Sequence, residues 1–337
     1  MDRTRPVHVP DHGPDHGGAP DPADDRGGAV MSRPVDRIRS VLACPSCRVP
    51  LDGAYACPAC GLGGRRDGDR LLFGGFADAE LREDPLNRLK DAVKRRLPWA
   101  YPLAVQVVSP VLLRRFVRPF LAGFDLDRDL VADLGAGTNR YDPRVLCVDG
   151  AAYPTVDLVG DLRALPLAGE SLDGVISVAV LEHVPDPRAH VEEMWRLLRP
   201  GGRLLCYVPF MQPFHASPYD YQRFSRAGLA ELFRGFEVLG VRVGAGPTSA
   251  LVWVLQEWLA LLLSFGSSRL YRLLTPLMWL LSPLKLVDLL LARHPEAAVS
   301  ASGFVVEARK PLRASTQPQL GAAAVGPRAA TERISSA

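Results

Sequence analysis

The sequence predicts an α/β fold. Its centre is a seven-stranded, mostly parallel sheet with helices on both faces, preceded by a small cysteine-bearing module and interrupted by an apolar helical insertion before the last strand. Two observations carry this. From 128 to 310, short apolar runs alternate with amphipathic helical patterns, the order produced by parallel strands joined through crossover helices. Upstream, four of the six cysteines fall as two Cys-x-x-Cys pairs, Cys44/Cys47 and Cys57/Cys60, outside that alternation. At 337 residues the chain has room for one large domain and a small one. With 47% apolar and 23% charged residues it can bury a core. A net charge of +3 gives no argument for nucleic-acid binding.

Composition sets the divisions. Residues 1–37 read as a disordered Gly/Pro/Asp tail in which His8, His12 and His16 are solvated rather than ligating. The cysteine module spans 38–76, a basic and apolar helical connector 77–127, and the large domain 128–310, with the insertion at 247–294. Residues 311–337 return to Ala/Ser/Pro/Gln-rich, disordered text. The N-terminus lacks an apolar signal region, so the paired cysteines point to a reducing cytoplasm.

In order, "DLVADLG" reads as a buried strand ending in a glycine turn, "RVLCVD" as a second strand, "TVDLVGD" as a third and "LDGVISVAV" as a fourth. A helix follows over "RAHVEEMWRLLRPGG", with Val191, Met194, Leu197 and Leu198 on one face and Pro200-Gly201-Gly202 stopping it. Then come strand "RLLCYVPF", amphipathic helix "RAGLAELFRGF", strand "FEVLGVRVG" and a seventh strand, "GFVVEARK". Cys147 and Cys206 lie inside strands as small core residues.

The glycine turn "VADLGAGTN" puts Asp133, Gly135 and Gly137 directly after an apolar strand, where backbone N–H groups can approach a ligand. Asp149 ends the next strand, where a carboxylate can accept both hydroxyls of a ribose, and Asp161 follows the third. Ligands of open α/β sheets bind at the carboxyl ends of the strands, so the three aspartates converge on one crevice. On these residues the chain resembles the class I S-adenosylmethionine-dependent methyltransferases, of the small-molecule type. The likeness covers 128–245 and resumes at 303–310, with "VAVLEHVPDP" and "LLRPGGRLLCYVP" matching later motifs in the same order. It departs where Asn139 replaces the last glycine of the first motif, a residue that tolerates left-handed backbone. The resemblance implies a Rossmann-like sheet and S-adenosyl-L-methionine as cofactor. Asp133 with the turn Gly135, Ala136, Gly137 and Asn139 would hold its methionine part, Asp149 its ribose, Asp161 and Leu162 its adenine, with Val178 lining the pocket and Glu182 and His183 at its floor.

Methyl transfer from a sulfonium is an in-line displacement that mainly needs positioning and exclusion of water; a base is needed for a hydroxyl acceptor. "PFHASPYDYQRFS" after the fifth strand gathers His215, Tyr219, Asp220, Tyr221 and Arg223. His215 with a nearby Asp can take a hydroxyl proton, and the Arg223 fork can bind an anionic group. The competing arrangement has Asp220 pairing with Arg223 to shape the loop, Tyr221 packing, and His183 making a structural hydrogen bond; the expected catalytic set is His215, Asp220, Tyr221, Arg223 and His183.

The insertion is apolar but interrupted by Gln256-Glu257, Arg272, Pro276, Pro283, Lys285 and Asp288, against the ~20 apolar residues a span needs. Two arrangements stay open: a soluble cap, or helices lying on the inner face of a membrane, with Trp253, Trp258, Trp279, Arg269 and Arg272 at the interface and "KRRLPWAYPLAVQVV" of the connector beside them.

Four thiolates at Cys44, Cys47, Cys57 and Cys60 saturate a tetrahedral Zn²⁺ and leave no open position, which makes the metal structural; redox use suits paired knuckles poorly. The stretch "LACPSCRVPLDGAYACPACGLGGRRDGDRLLFGG" is similar to the small zinc-ribbon activators of tRNA and release-factor methyltransferases, which implies a stabilising role within the chain. The expected function is methyl transfer to a small-molecule, lipid- or sugar-type acceptor, at oxygen. The ribbon's likeness keeps tRNA or a translation factor as an alternative acceptor, although the Asn/Asp-Pro-Pro-Tyr motif is absent after the fourth strand. A non-catalytic scaffold is the third reading, opposed by the intact Asp133, Asp149 and Asp161.

Overall fold

A computed structural model describes residues 34–74, 114–215 and 219–312 of the chain. Most of the connector, both terminal tails and three residues of the 213–225 loop lie outside them.

The strands are β1 (Arg65–Asp67), β2 (Arg70–Leu72), β3 (Val131–Leu134), β4 (Leu146–Asp149), β5 (Leu158–Val159), β6 (Leu172–Val178), β7 (Leu198–Pro209), β8 (Glu237–Ala245) and β9 (Gly303–Arg309). They form one nine-stranded sheet in the order β1-β2-β5-β4-β3-β6-β7-β9-β8. The seven expected strands are its core, and the extra two come from the cysteine module. β2 pairs parallel to β5, with Leu71 opposite Leu158, and the N–H groups of Leu71 and Phe73 donate to Asp157 and Val159 at 2.9 Å. Sequence periodicity cannot reveal a pairing between segments this far apart in the chain.

The helices are α1 (Pro34–Arg37), α2 (Arg114–Leu121), α3 (Pro187–Leu197), α4 (Arg226–Leu232), α5 (Pro247–Leu263), α6 (Ser268–Met278) and α7 (Asp288–Leu291), with a 3₁₀ stretch over Trp279–Val287. α3 and α4 bury Val191, Met194, Leu197, Leu229 and Leu232 in the main core on one face of the sheet. α2 packs Val117, Phe120 and Leu121 with Ile176, Leu205 and Val305 in a second core. Helices thus cover both faces.

Two expectations change. The tail assigned to 1–37 ends before Pro34, because α1 buries Val35 and the Arg37 guanidinium donates to the carbonyls of Leu126 and Asp129 at 2.8 Å. The α3 helix stops at Leu197, and Leu198, expected on its apolar face, begins β7 instead. No helix forms between β3 and β4 or between β4 and β5. The first of these connections is "GAGTNRYDPRV", whose Gly, Asn, Asp and Pro residues favour turns over helix. α3 itself starts as its sequence dictates: Asp186 accepts the N–H groups of Arg188 and Ala189, and Pro187 sits at the first turn.

β9 runs antiparallel to both β7 and β8, so Pro209, Gly303 and Ala245 lie together at the carboxyl end of the parallel strands. The insertion leaves and re-enters the sheet at that end, which is where the site lies.

Candidate active site and metal centre

Gly135 and Gly137 adopt left-handed backbone, at φ 87° and 56°. A Cβ on Gly135 would stand 2.2 Å from Val180, so this position needs glycine on both counts; a Cβ on Gly137 would meet nothing, so the turn faces open space. Asn139, a residue that tolerates left-handed backbone, does not adopt it here. Its N–H donates to the Ala136 carbonyl, an ordinary turn bond that needs no positive φ.

Asp149 accepts the N–H groups of Gly137 at 2.8 Å and Ala151 at 2.9 Å, which aims its carboxylate across the turn. Thr155 Oγ donates to the Gly137 carbonyl at 2.6 Å, a support that sequence pattern gave no signal for. Asp133 is buried, and its Oδ1 has no hydrogen-bond partner among the described residues. Burial, with the nearby Asp149 charge, pushes its carboxyl up to about 8. Burial likewise raises Asp149. An orphaned carboxyl beside an open glycine turn and a second carboxylate on the adjacent strand end fit the ammonium and ribose of S-adenosylmethionine.

Asp161 sits at the same sheet edge but is half-exposed and tied to Arg163, with Nη2 to Oδ2 at 2.8 Å; that pairing holds its carboxyl below the usual range. Leu162 packs against the main core, and its carbonyl faces His190 Nδ1 at 2.9 Å. His190 is fully buried and also lies 3.4 Å from Ser177 Oγ. The sequence reading missed it, although its spacing from Met194 and Leu197 places it on the buried face of α3. Val178 is partly buried against the second core, and Ala136 is buried.

The acceptor side is built by two turns. Glu182 and His183 follow β6, while Gln212 to Arg223 follow β7. The Tyr221 N–H donates to the Glu182 carbonyl at 2.8 Å, and Gln222 Nε2 donates to the carbonyls of Leu181 and Val184. Tyr221 therefore contributes through its backbone, its ring being 50% exposed. Arg223 makes a two-pronged pair with Asp220, Nη2 to Oδ2 at 2.7 Å, and donates to the Pro213 carbonyl at 3.0 Å. Both of its Nη groups are engaged and only Nε has no partner among the described residues, so the expectation that its fork binds an anionic substrate group gives way to the loop-shaping arrangement. Asp220 accepts the backbone N–H of His215 at 2.8 Å, while His215 Nδ1 is 3.8 Å away, so Asp220 fixes the loop rather than the imidazole.

His215 and His183 meet edge to face, ring centroids 5.3 Å apart, over a fully buried Glu182. Burial alone would lower His215, but Glu182 and the Pro213 carbonyl favour its protonated form and the net shift is upward. Sequence reading placed Glu182 only at a pocket floor; its signal was an acid inside the apolar run "VAVLEHV".

The four cysteine sulfurs all lie within 4.8 Å of one another. Cys44 and Cys60 sulfurs are 3.6 Å apart, close to the ~3.8 Å edge of a tetrahedron with ~2.3 Å metal–sulfur bonds. The two knuckles repeat one design. Arg48 N–H donates to Cys44 O and Gly61 N–H to Cys57 O, each at 2.9 Å and each with positive φ at the closing residue. The Cys47 N–H points at Cys44 Sγ at 3.3 Å and holds that thiol down at about 7, toward the thiolate a metal takes.

The sequence profile of a methyltransferase domain matches residues 122–206. Over those residues the chain is similar to methyltransferase domains. Among curated proteins, a probable S-adenosylmethionine-dependent methyltransferase of Mycolicibacterium smegmatis is 38% identical over 132 residues, 35% of this chain and 51% of that protein. An uncharacterized methyltransferase of Mycobacterium bovis is 40% identical over 130 residues, 34% of this chain and 47% of its own length. The chain thus spans about half the length of these curated relatives. A solved S-adenosylmethionine-dependent methyltransferase from Thermotoga maritima aligns with 66% of this chain and 98% of its own, at 18% identity and a TM-score of 0.38. The matched residues carry β3, β4, β5 and β6, and with them Asp133, Asp149, Asp161 and Glu182.

Proposed function

We propose that the chain is an S-adenosylmethionine-dependent methyltransferase that alkylates an oxygen of a small-molecule acceptor, lipid-type rather than sugar-type, with a structural zinc ribbon built into its sheet. The observation that carries the cofactor assignment is the buried Asp133 carboxyl, without a partner among the described residues, at the mouth of the Gly135–Gly137 turn. S-adenosylmethionine, when bound, supplies a methyl group on a positively charged sulfur. Asp133 would pair with its ammonium, Asp149 would accept its ribose hydroxyls, and Asp161 with Leu162 would border its adenine. The acceptor oxygen would bond to the methyl carbon as the carbon–sulfur bond breaks, and the hydroxyl proton would leave beside the cluster of Glu182, His183 and His215.

The lipid-type acceptor rests on the insertion. Ser268–Leu291 has a mean hydropathy of 1.5, and only 17% of its apolar window is buried. Leu251, Trp258, Leu261, Phe265, Leu273, Leu280 and Leu290 are all more than half exposed. Arg269, Arg272 and Arg293 are exposed beside them, a basic and apolar surface that suits anionic lipid. The segment is tied down rather than free to span, because Asp288 accepts the N–H groups of Thr248 and Ser249 at 2.8 and 2.7 Å. The turn that returns the chain from it to β9 reaches the acceptor loop: Gln212 Nε2 donates to Ser302 Oγ at 3.1 Å. Peripheral contact at the inner face of a membrane follows from this reading.

Two measurements test it. Calorimetry with S-adenosylmethionine should give one site per chain, and no binding would remove the enzyme reading. Transfer of labelled methyl into fractionated cell extract should then label the lipid pool; label in RNA or protein would favour the ribbon-derived alternative.

A further inference from the structure

The Glu182 carboxylate is fully buried, yet neither oxygen has a hydrogen-bond partner among the described residues. Burying a charge without compensation is costly, so such a group needs a cation or a ligand. What surrounds it is specific. His183 Nε2 lies 3.7 Å and His215 Nε2 3.8 Å from the same oxygen, Oε1, too far for hydrogen bonds. One ligand atom from each of the three residues falls within 4.8 Å of the others.

Both rings are oriented by their other nitrogen. His183 Nδ1 is 2.6 Å from the Tyr219 carbonyl, and His215 Nδ1 is 3.0 Å from the Pro213 carbonyl. A carbonyl only accepts, so His183 Nδ1 carries the hydrogen and its Nε2 turns a lone pair toward Glu182; His215 Nδ1 lies between the Pro213 carbonyl and Arg223 Nη2, and its Nε2 faces the same Glu182 oxygen. Metal-ligating histidines are held in this way, with the distal N–H fixed by a carbonyl or carboxylate. The rings meet at 87°, so their lone pairs converge instead of stacking.

We infer that Glu182, His183 and His215 form a site for one divalent first-row transition-metal ion, separate from the cysteine centre. Two imidazole nitrogens and a carboxylate suit such ions, unlike the all-thiolate ribbon. Ligands ~2.1 Å from an ion stand ~3.4 Å apart in a tetrahedron, so the two separations from Glu182 exceed that by about 0.3–0.4 Å, and no pair of ligand atoms is more than 4.8 Å apart. Arg223 is the cation nearest the site, 3.2 Å from His215 Nδ1, and its charge is already matched by Asp220. The site opens through His215, whose side chain is 41% exposed, against 14% for His183. Three protein ligands and an open side are the arrangement of a working metal rather than a structural one. In the sheet, β6 lies between β3, which carries Asp133, and β7, which leads to His215. An acceptor oxygen held by the ion is thereby placed on the cofactor side and gives up its proton more readily. This role rests on the methyltransferase reading; the metal site itself does not.

The test uses the full chain with its ribbon loaded with zinc and titrates Mn²⁺, which favours carboxylate and imidazole over thiolate, by loss of the free-ion paramagnetic resonance signal. One Mn²⁺ per chain is expected in the wild type, with Kd raised at least ~100-fold in Glu182→Gln and in His215→Ala. S-adenosylmethionine binding, followed by calorimetry on the same samples, reports that the variants are folded. Equal Mn²⁺ binding by wild type and Glu182→Gln, or none in a wild type that binds the cofactor, overturns the site. Mn²⁺ binding with no cofactor binding leaves the metal site standing and sinks the methyltransferase reading.

Discussion

The Asp149 carboxylate, at the end of β4, accepts the N–H of Gly137 from the turn after β3 at 2.8 Å. One residue therefore closes the glycine turn and presents the group that meets the ribose. Hydrogen bonds to a charged group contribute about 1.5–3 kcal/mol each. Asp149→Ala should weaken S-adenosylmethionine binding roughly 10- to 100-fold by calorimetry. The zinc content of the ribbon should stay unchanged, because Cys44, Cys47, Cys57 and Cys60 lie outside this turn. Wild-type affinity in the variant would remove the ribose assignment.

Asp133 links cofactor binding to protons. Burial and the Asp149 charge hold its carboxyl up to about 8, so near neutral pH it is protonated in the free protein. A cationic ammonium placed against it favours the ionised form, so binding releases a proton. Affinity should therefore rise with pH between about 6 and 8, by up to about tenfold per unit. Calorimetry in two buffers of different ionisation heat should show release approaching one proton at pH 6.5, and none in Asp133→Asn. Equal heats in the two buffers with wild-type protein would contradict the pairing.

The ribbon's attachment gives a third outcome. Leu71 on β2 is buried against the main core, and the Leu71 and Phe73 N–H groups complete the free edge of β5. On the other side of the module, Ala43 N–H donates to Pro166 O and Ala168 N–H to Val41 O. Stripping the metal with a chelator should lower Tm of the whole chain and speed hydrogen exchange at Leu71 and Phe73. Leu71→Asp, which buries a charge in that seam, should cost roughly 3 kcal/mol or more. Unchanged Tm and exchange after chelation would make the ribbon an independent appendage.

Much of this was readable in the sequence because it is local. The strands announce themselves as apolar runs, the aspartates by their place at strand ends, and the cysteines by spacing. Tertiary pairings were not readable. Nothing near Leu71 marks Leu158 as its partner, and nothing in "LEHV" shows that His215 returns to face Glu182. The Arg223 expectation failed for a physical reason visible only in the fold: Asp220 three residues earlier takes its fork, while its chemistry alone suits either use.

Lys285 shows how the insertion is tuned. It is 2% exposed, over the Trp253 ring at 4.3 Å, and burial lowers its ammonium to about 7. A cation over a ring gains about 0.5–2 kcal/mol, so the downward shift means that loss of hydration outweighs the ring's attraction. The sign of the pH dependence follows. Above about 10.5 the amine is neutral in both folded and unfolded chains; as pH falls toward 7, the unfolded chain binds a proton that the folded one refuses, and stability is lost across that window. Lys285→Met keeps the volume and removes the proton. It should flatten the Tm profile between pH 7 and 10. Thermal unfolding of both proteins across that range decides it, and a parallel slope in the variant would place the dependence elsewhere.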